Sequence, residues 1–289
     1  MERKIGRGAS FLIVALIYVA ATAVGIVVYR ALPFAFWVNL LLADIAATVF
    51  TFAFSLAFKN ASVYDPYWSV QPVVIVVALA IEYGVTLSGG LTLAAICLWG
   101  VRLTANWAYT FDGLHAQDWR YTMLREKTGK AYPLINFLGI HLVPTLVVYG
   151  CVLPAAFLLT DAPSFHFGVT IGVLLSVCAV VLQGASDIQM QRFRKQKTGG
   201  FIRTGLWKYA RHPNYLGEIL MWWGVAIASV FAMPHRWYLS VGAAANTCLF
   251  AFVSIPMAEK RQGRKEGFAA YKAETRVLLP IKKRTARKF

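Results

Sequence analysis

Eight runs of apolar residues dominate this chain, at roughly 11–30, 35–58, 70–87, 91–110, 137–159, 167–189, 215–232 and 237–257. About twenty apolar residues in a helix cross the hydrocarbon core of a bilayer. The chain is therefore expected to be all-α: one polytopic membrane helix bundle over 1–289, of seven or eight transmembrane helices. Seven stays open beside eight because "SGG" alone divides the third and fourth runs and "MPHR" alone the last two. Either tight hairpin could be re-entrant. The first run follows "MERKIGRGAS", has no small-residue cleavage site and leads straight into further spans. It is expected to be a membrane helix rather than a leader.

Composition agrees with this class. The chain is 58% hydrophobic with a mean hydropathy of +0.56, well above soluble domains. Only 15% of residues are charged, yet the formal net charge is +16. In a soluble protein such an excess would favour nucleic acid; here membrane orientation explains it, with polyanionic ligands as a second use. Place the N-terminus in the cytoplasm and let all eight runs cross. Of the 29 Lys and Arg residues, all but Arg30, Arg102 and Arg236 then fall on cytoplasmic pieces. Both termini are accordingly expected on the cytoplasmic side. Cys97, Cys151, Cys178 and Cys248 lie in apolar runs with no metal or redox spacing, so neither a disulfide nor a metal site is expected.

Ionisable residues within spans are costly and point by default to function. Asp44, Glu82, Arg102 and Asp187 are such residues. A pairing of Asp44 with Arg102 inside the bundle would satisfy both, and Glu82 lies near enough to a span end to reach the interface. Gln183, Asp187, Gln191 and Arg194 recur at helical spacing and share one face, which runs out into the most basic loop. A second stripe begins in "RHPNYLGEILMW". Pro213 suits the first turn of a helix, and Asn214, Glu218 and Trp222 follow on one face, with Gly217 allowing a close approach. Asn214 and Glu218 together make a donor–acceptor pair suited to an amide, a ribose or an adenine edge; a capping asparagine plus a carboxylate near a helix N-terminus is the structural alternative.

The loop "RFRKQKTGGFIRTGLWKYARHP" combines seven cations, a Gly-Gly and aromatics, a mixture suited to phosphates and a purine face. "GRGASF" lacks the third glycine of a dinucleotide fingerprint, so a Rossmann domain is excluded. Walker, HExxH and nucleophile-elbow motifs are absent from the sequence. The stretch 110–136 mixes aromatics and charges at helical spacing and is expected along the membrane interface, and the basic end from Lys260 suits anionic lipid.

"GLWKYARHPNYLGEILMWWG" and "EKRQGRKEGFAAYKAETRVLLP" resemble the C-terminal half of the steroid 5-alpha-reductase family, nearest its bacterial members. Related patterns occur in sterol reductases and isoprenylcysteine carboxyl methyltransferases. The resemblance implies an NADPH-dependent reduction of the C=C bond of a 3-oxo-Δ4-steroid or similar lipophilic enone. It implies NADPH binding over about 180–280, with the helices of 1–136 forming most of the substrate side. Carried over by position, the cofactor contacts are Gln183, Asp187, Arg194, Asn214 and Glu218, with Arg203, Tyr209, Arg211 and His212 from the same basic stretch. On the substrate side Asp65 in "VYDPYW" stands where the family's carboxylate falls. The family's tyrosine has no matching position; Trp99 or Arg102 stands there, and Tyr64, Tyr67 and Tyr109 are nearby substitutes. The candidate catalytic set is Asp65, Tyr67, Arg102 and Tyr109.

The resemblance also implies a bacterial inner membrane, with the NADPH site facing the cytoplasm. Lipid and a lipophilic substrate are the expected partners; nucleic acid is not, and no obligate protein partner is evident. An S-adenosylmethionine-dependent methyltransferase on the same scaffold is the alternative, though that cofactor has no phosphates to use the cations. A transporter would gather its charges around a midplane site, whereas these gather at span ends.

Overall fold

The computed structural model describes residues 5–197 and 199–280. Among them, eight helical segments are long and apolar enough to cross a membrane, and there is no β-strand. The first two are α1 (Arg7–Ala31) and α2 (Phe36–Ala57). The third, Ala61–Tyr83, opens with a 3-10 turn and continues as α3 (Tyr67–Tyr83); the fourth is α4 (Leu87–Thr110). The fifth segment, Trp119–Thr160, joins α5 (Trp119–Thr128), the short α6 (Tyr132–Ile135), a π turn and α7 (Val143–Thr160). Then come α8 (Phe167–Lys195) and α9 (Pro213–Ala232). The last segment, Pro234–Gln262, contains α10 (Val241–Leu249) and α11 (Ile255–Gln262), and a short α12 (Phe268–Glu274) follows. The chain is a multi-pass integral membrane protein. Arg3, Lys4 and the five cations from Lys282 to Lys288 lie outside the described residues.

The tight hairpins are full turns between helices, but the first is displaced from "SGG". Gly84, at φ 83°, ends α3, and Thr86 caps α4 by accepting from the Gly89 amide. Ser88, Gly89 and Gly90 thus fill the first turn of α4 rather than the loop. Positive φ is the reason, since glycine adopts it without steric cost. The π turns have a common origin too. Asn136–Leu142 runs into Pro144 and Phe250–Ser254 into Pro256. A proline removes one backbone donor and crowds the preceding turn, and the helix widens to accommodate it.

Small residues set close packing between α8 and α9. A Cβ on Gly224 would lie 2.2 Å from Ser176 Oγ and 2.5 Å from Gly172 O; one on Gly217 would lie 2.8 Å from Ala179 O. The helices therefore run antiparallel in near backbone contact, as small residues permit in a bilayer. Around this pair, α4 and α7 build a core that includes Trp99, Ile96, Val152, Met221 and Trp222.

The bundle has two unlike ends. At one, the Leu114 amide donates to Ser10 Oγ (3.1 Å), Asn60 Nδ2 to Leu114 O (2.7 Å) and Trp207 Nε1 to Ser186 O (3.1 Å), and the Arg261 guanidinium lies 4.4 Å over the Trp119 ring. This basic end gathers the loops that carry most of the cations. At the other, Arg30 grips Glu82 (3.0 Å) and Arg236 pairs with Asp161 (2.5 Å). Glu82 thus meets a cation at the interface. The interfacial stretch resolves into α5, which buries none of its residues.

Candidate functional site

The polar stripe predicted on α8 has a counterpart on α4. Arg102 Nη1 donates to Asp187 Oδ2 at 2.7 Å. One turn further along both helices, Gln191 Nε2 donates to Asn106 Oδ1, and beyond that the Lys195 ammonium sits 5.2 Å over the Tyr109 ring. The two helices run in the same direction, and their polar faces meet rung by rung toward the basic end. The pairing of Arg102 with Asp44 does not occur. Asp44 accepts instead from Tyr67 (3.0 Å) and Gln71 (2.6 Å), because α3 lies against α2 while Arg102 faces α8.

Helix α9 brings the second stripe to the same place. Pro213 is its first residue and Asn214 its second; the Asn214 side chain does not cap the helix but donates from Nδ2 to Asp187 Oδ1 at 3.4 Å. One turn deeper, Glu218 is 1% exposed and accepts three N–H groups: Trp99 Nε1 at 2.8 Å, Gln183 Nε2 at 2.7 Å and Trp222 Nε1 at 3.0 Å. Gly217 makes room for the α8 backbone, not for a ligand.

Several buried polar atoms at this junction have no hydrogen-bond partner among the described residues: Arg102 Nε and Nη2, Gln183 Oε1 and Asn214 Oδ1. An unsatisfied buried donor or acceptor costs about 1–3 kcal/mol, so each of these atoms calls for a partner, an ordered water or a bound molecule. Beside this junction lies a cavity of about 850 Å³ whose walls include Asp187, Gln191, Arg194, Arg211, His212 and Asn214. Arg194, Lys197, Arg261 and Lys265 charge it, and Trp119, Phe201, Trp207 and Tyr215 supply rings. Partial burial, with Arg261 and Arg194 close by, pulls the Lys265 ammonium below its ordinary pKa. Burial brings the His212 imidazole down to about 4, so it is neutral near pH 7, and pushes the Tyr271 phenol up to about 12.

Arg211 serves the frame. Its Nε donates to Glu259 Oε1 at 2.6 Å and its Nη1 to the carbonyls of Lys272 and Thr275, while its backbone and that of His212 pair with Arg276 and Val277. Lys272 holds the other Glu259 oxygen at 2.8 Å. These bonds tie the α11–α12 segment over the cavity. Arg203 lies over the Phe201 ring at 5.6 Å, and Tyr209 is exposed; neither lines the cavity.

The four candidate catalytic residues do not gather. Asp65 accepts from Tyr121 Oη at 2.7 Å, Tyr67 bonds Asp44, Arg102 bonds Asp187, and Tyr109 is half-exposed beneath Lys195. No hydrogen bond or ion pair joins any two of them. Sequence reading missed Asn106, Tyr121 and Glu259. The α4 stripe Trp99, Arg102, Asn106 has the same helical spacing as the α8 stripe and was the available signal for Asn106; Tyr121 and Glu259 had none, since their partners are distant in sequence.

Residues 51–275 match the model of the family described as "Protein of unknown function (DUF1295)". The chain belongs to this family. It is a membrane family related to steroid 5-alpha-reductase-like proteins. An uncharacterized protein of Schizosaccharomyces pombe is 28% identical over 223 residues, 67% of this chain and 64% of the yeast protein. The chain therefore spans less than two thirds of that relative's length. No solved structure matches.

Proposed function

We propose that this DUF1295 member is an NADPH-dependent membrane reductase that saturates the C=C bond of a 3-oxo-Δ4-steroid or similar lipophilic enone. The observation that carries the reading is the meeting of orphaned polar atoms on Arg102, Gln183 and Asn214 with a cationic, aromatic cavity lined by Asn214 and by Asp187, the partner of Arg102. The residues present suit NADPH: Arg194, Lys197, Arg261 and Lys265 match its phosphates, the rings of Trp119 and Tyr215 an adenine face, and the free carbonyls of Gln183 and Asn214 a carboxamide N–H. The kinship of the family to steroid 5-alpha-reductase-like proteins supports the same assignment.

Bound NADPH supplies a hydride for the β carbon of the enone, giving saturated ketone and NADP⁺ once a proton is taken up at the α carbon. Arg102 directs its two unpaired N–H groups at the carbonyl oxygen, where negative charge develops, as an oxyanion hole does. Asp187 and Asn214 hold that guanidinium in place. Glu218 fixes Gln183 and, through Trp99 and Trp222, closes the floor against water. Asp65 and Tyr121 bond each other at 2.7 Å and line neither cavity, so the proton for the α carbon comes from water. In this reading the cofactor region is 180–280, residues 1–136 form most of the substrate side, and lipid and substrate are the partners. In the same reading the basic end faces the cytoplasm, which the excess of Lys and Arg there supports, and the membrane is a bacterial inner one.

The test is turnover. Protein purified in detergent is mixed with NADPH and a panel of lipophilic enones, and loss of NADPH absorbance is followed together with product mass. A gain of two hydrogens in an enone, abolished in Arg102→Met and weakened in Asn214→Ala, is the expected result. A methyl group appearing in a substrate supplied with S-adenosylmethionine, without NADPH turnover, would replace this reading with the methyltransferase.

A further inference from the structure

A second cavity, of about 320 Å³, lies between α1, α2 and α3, apart from the basic-end site. Small residues create it: Ala21 and Gly25 on α1, Ala43 and Ala47 on α2, and Ala78 on α3 all line it. Its walls are apolar, and its volume falls within the range of small-molecule sites, about 300–1,000 Å³.

The two ends of this cavity are polar. At the bundle end away from the basic loops stands the Arg30–Glu82 ion pair. At the inner end stands Asp44, 4% exposed, with Tyr67 and Gln71. Gln71 and Glu82 are eleven residues apart on α3, which at the helical rise spans roughly 16 Å. The inner end is built rather than incidental. Each Asp44 oxygen already accepts one N–H or O–H, from Tyr67 and Gln71. Behind Tyr67 a chain of hydroxyls continues, Thr48 (3.4 Å from Tyr67 Oη), then Thr145 (2.9 Å from Thr48), then Tyr64 (2.7 Å from Thr145).

What Asp44 lacks is a cation: among the described residues none forms an ion pair with it. A carboxyl held inside a bilayer without a counter-charge is expensive, and each of its oxygens keeps a second lone pair free for another donor.

We infer that this cavity is a binding site for an elongated lipophilic molecule whose inner end carries a hydrogen-bond donor, a hydroxyl or a protonated amine, received by Asp44. The apolar body lies along the small-residue walls, and specificity comes from the single acceptor at the end. The cavity lies within the helices assigned above to the substrate side and includes Tyr67, but the inference does not need the hydride chemistry, because its test reads binding alone.

The test uses the full chain in lipid nanodiscs and a diazirine-bearing long-chain alcohol as photoprobe. Labelled peptides are mapped by mass spectrometry, with hexadecanol, hexadecylamine and hexadecane as competitors. Labelling concentrated on α1–α3 peptides, displaced at least tenfold better by the alcohol or the amine than by the alkane, is expected. Asp44→Asn should weaken that preference, and Ala78→Phe, which fills the cavity without touching Asp44, should abolish the labelling in a protein of unchanged melting temperature. Relative competition by alcohol against amine identifies which donor the site takes. Labelling spread evenly over all lipid-facing helices, or equal competition by hexadecane, would show a gap filled by bulk lipid and overturn the inference.

Discussion

The Arg102 guanidinium and the Asp187 carboxylate meet at 2.7 Å between α4 and α8, and this one contact leaves two guanidinium nitrogens unpartnered behind Asp187, which lines the basic-end cavity. The pair is mostly buried, at 18% and 14% side-chain exposure. Removing one partner of a buried pair strands the other charge and costs about 3–5 kcal/mol, whereas replacing both by apolar residues is often neutral. Arg102→Met and Asp187→Leu should each lower the melting temperature in detergent, and the double variant should recover most of the loss. Additive losses in the double-mutant cycle would show that the two do not act as a pair.

Glu218 tests the floor. Its carboxylate accepts from Trp99, Gln183 and Trp222, and Glu218→Gln would turn an NH₂ group toward at least one of these donors. One mismatched buried polar contact costs about 1–3 kcal/mol. The expected outcome is a lower melting temperature together with a shift in the near-ultraviolet circular dichroism of the tryptophans. An unchanged tryptophan signal would contradict the arrangement.

The helical part of this account was legible early because membrane crossing imposes length and hydropathy on every span. The two polar stripes were legible as well, since 183, 187, 191 and 194 share one face of a single helix whatever it packs against. The hairpin at Gly84 was misplaced onto Ser88–Gly90 because sequence alone does not distinguish a glycine at positive φ from one filling a first helical turn. The partners of Asp44 and Asp65 were not legible. Choosing Tyr67 and Gln71 over Arg102, or Tyr121 over Tyr67, depends on helix order and rotation, which no local spacing encodes.

Close packing of α8 on α9 makes a separate prediction. A Cβ on Gly224 would lie 2.5 Å from Gly172 O, a backbone atom that cannot swing aside. Overpacking of this kind costs about 1–3 kcal/mol or more. Gly224→Val should therefore reduce the yield of folded, monodisperse protein, while Gly139→Ala, where an added Cβ meets nothing within 4 Å, should not.

His212 gives the account a pH dependence. Burial lowers its pKa to about 4 from an ordinary 6.5. Between those values the unfolded chain binds a proton that the folded chain refuses, so stability is full above the unfolded value and falls as the pH drops toward the folded one. The contribution at stake is on the order of 3 kcal/mol. Unfolding at about pH 7 and about pH 5 should show a larger acid loss in the wild type than in His212→Gln. Equal losses would mean that His212 is protonated in the folded protein.

The most direct measurement is thermal unfolding of the detergent-purified protein with NADPH, NADH and S-adenosylmethionine side by side. A ligand that binds only the folded state raises the melting temperature, by about 2.7 kcal/mol of added stability at a hundredfold excess over its Kd. The account predicts a rise with NADPH that exceeds the rise with NADH and is lost in Asn214→Ala. A rise with S-adenosylmethionine and none with NADPH would contradict it.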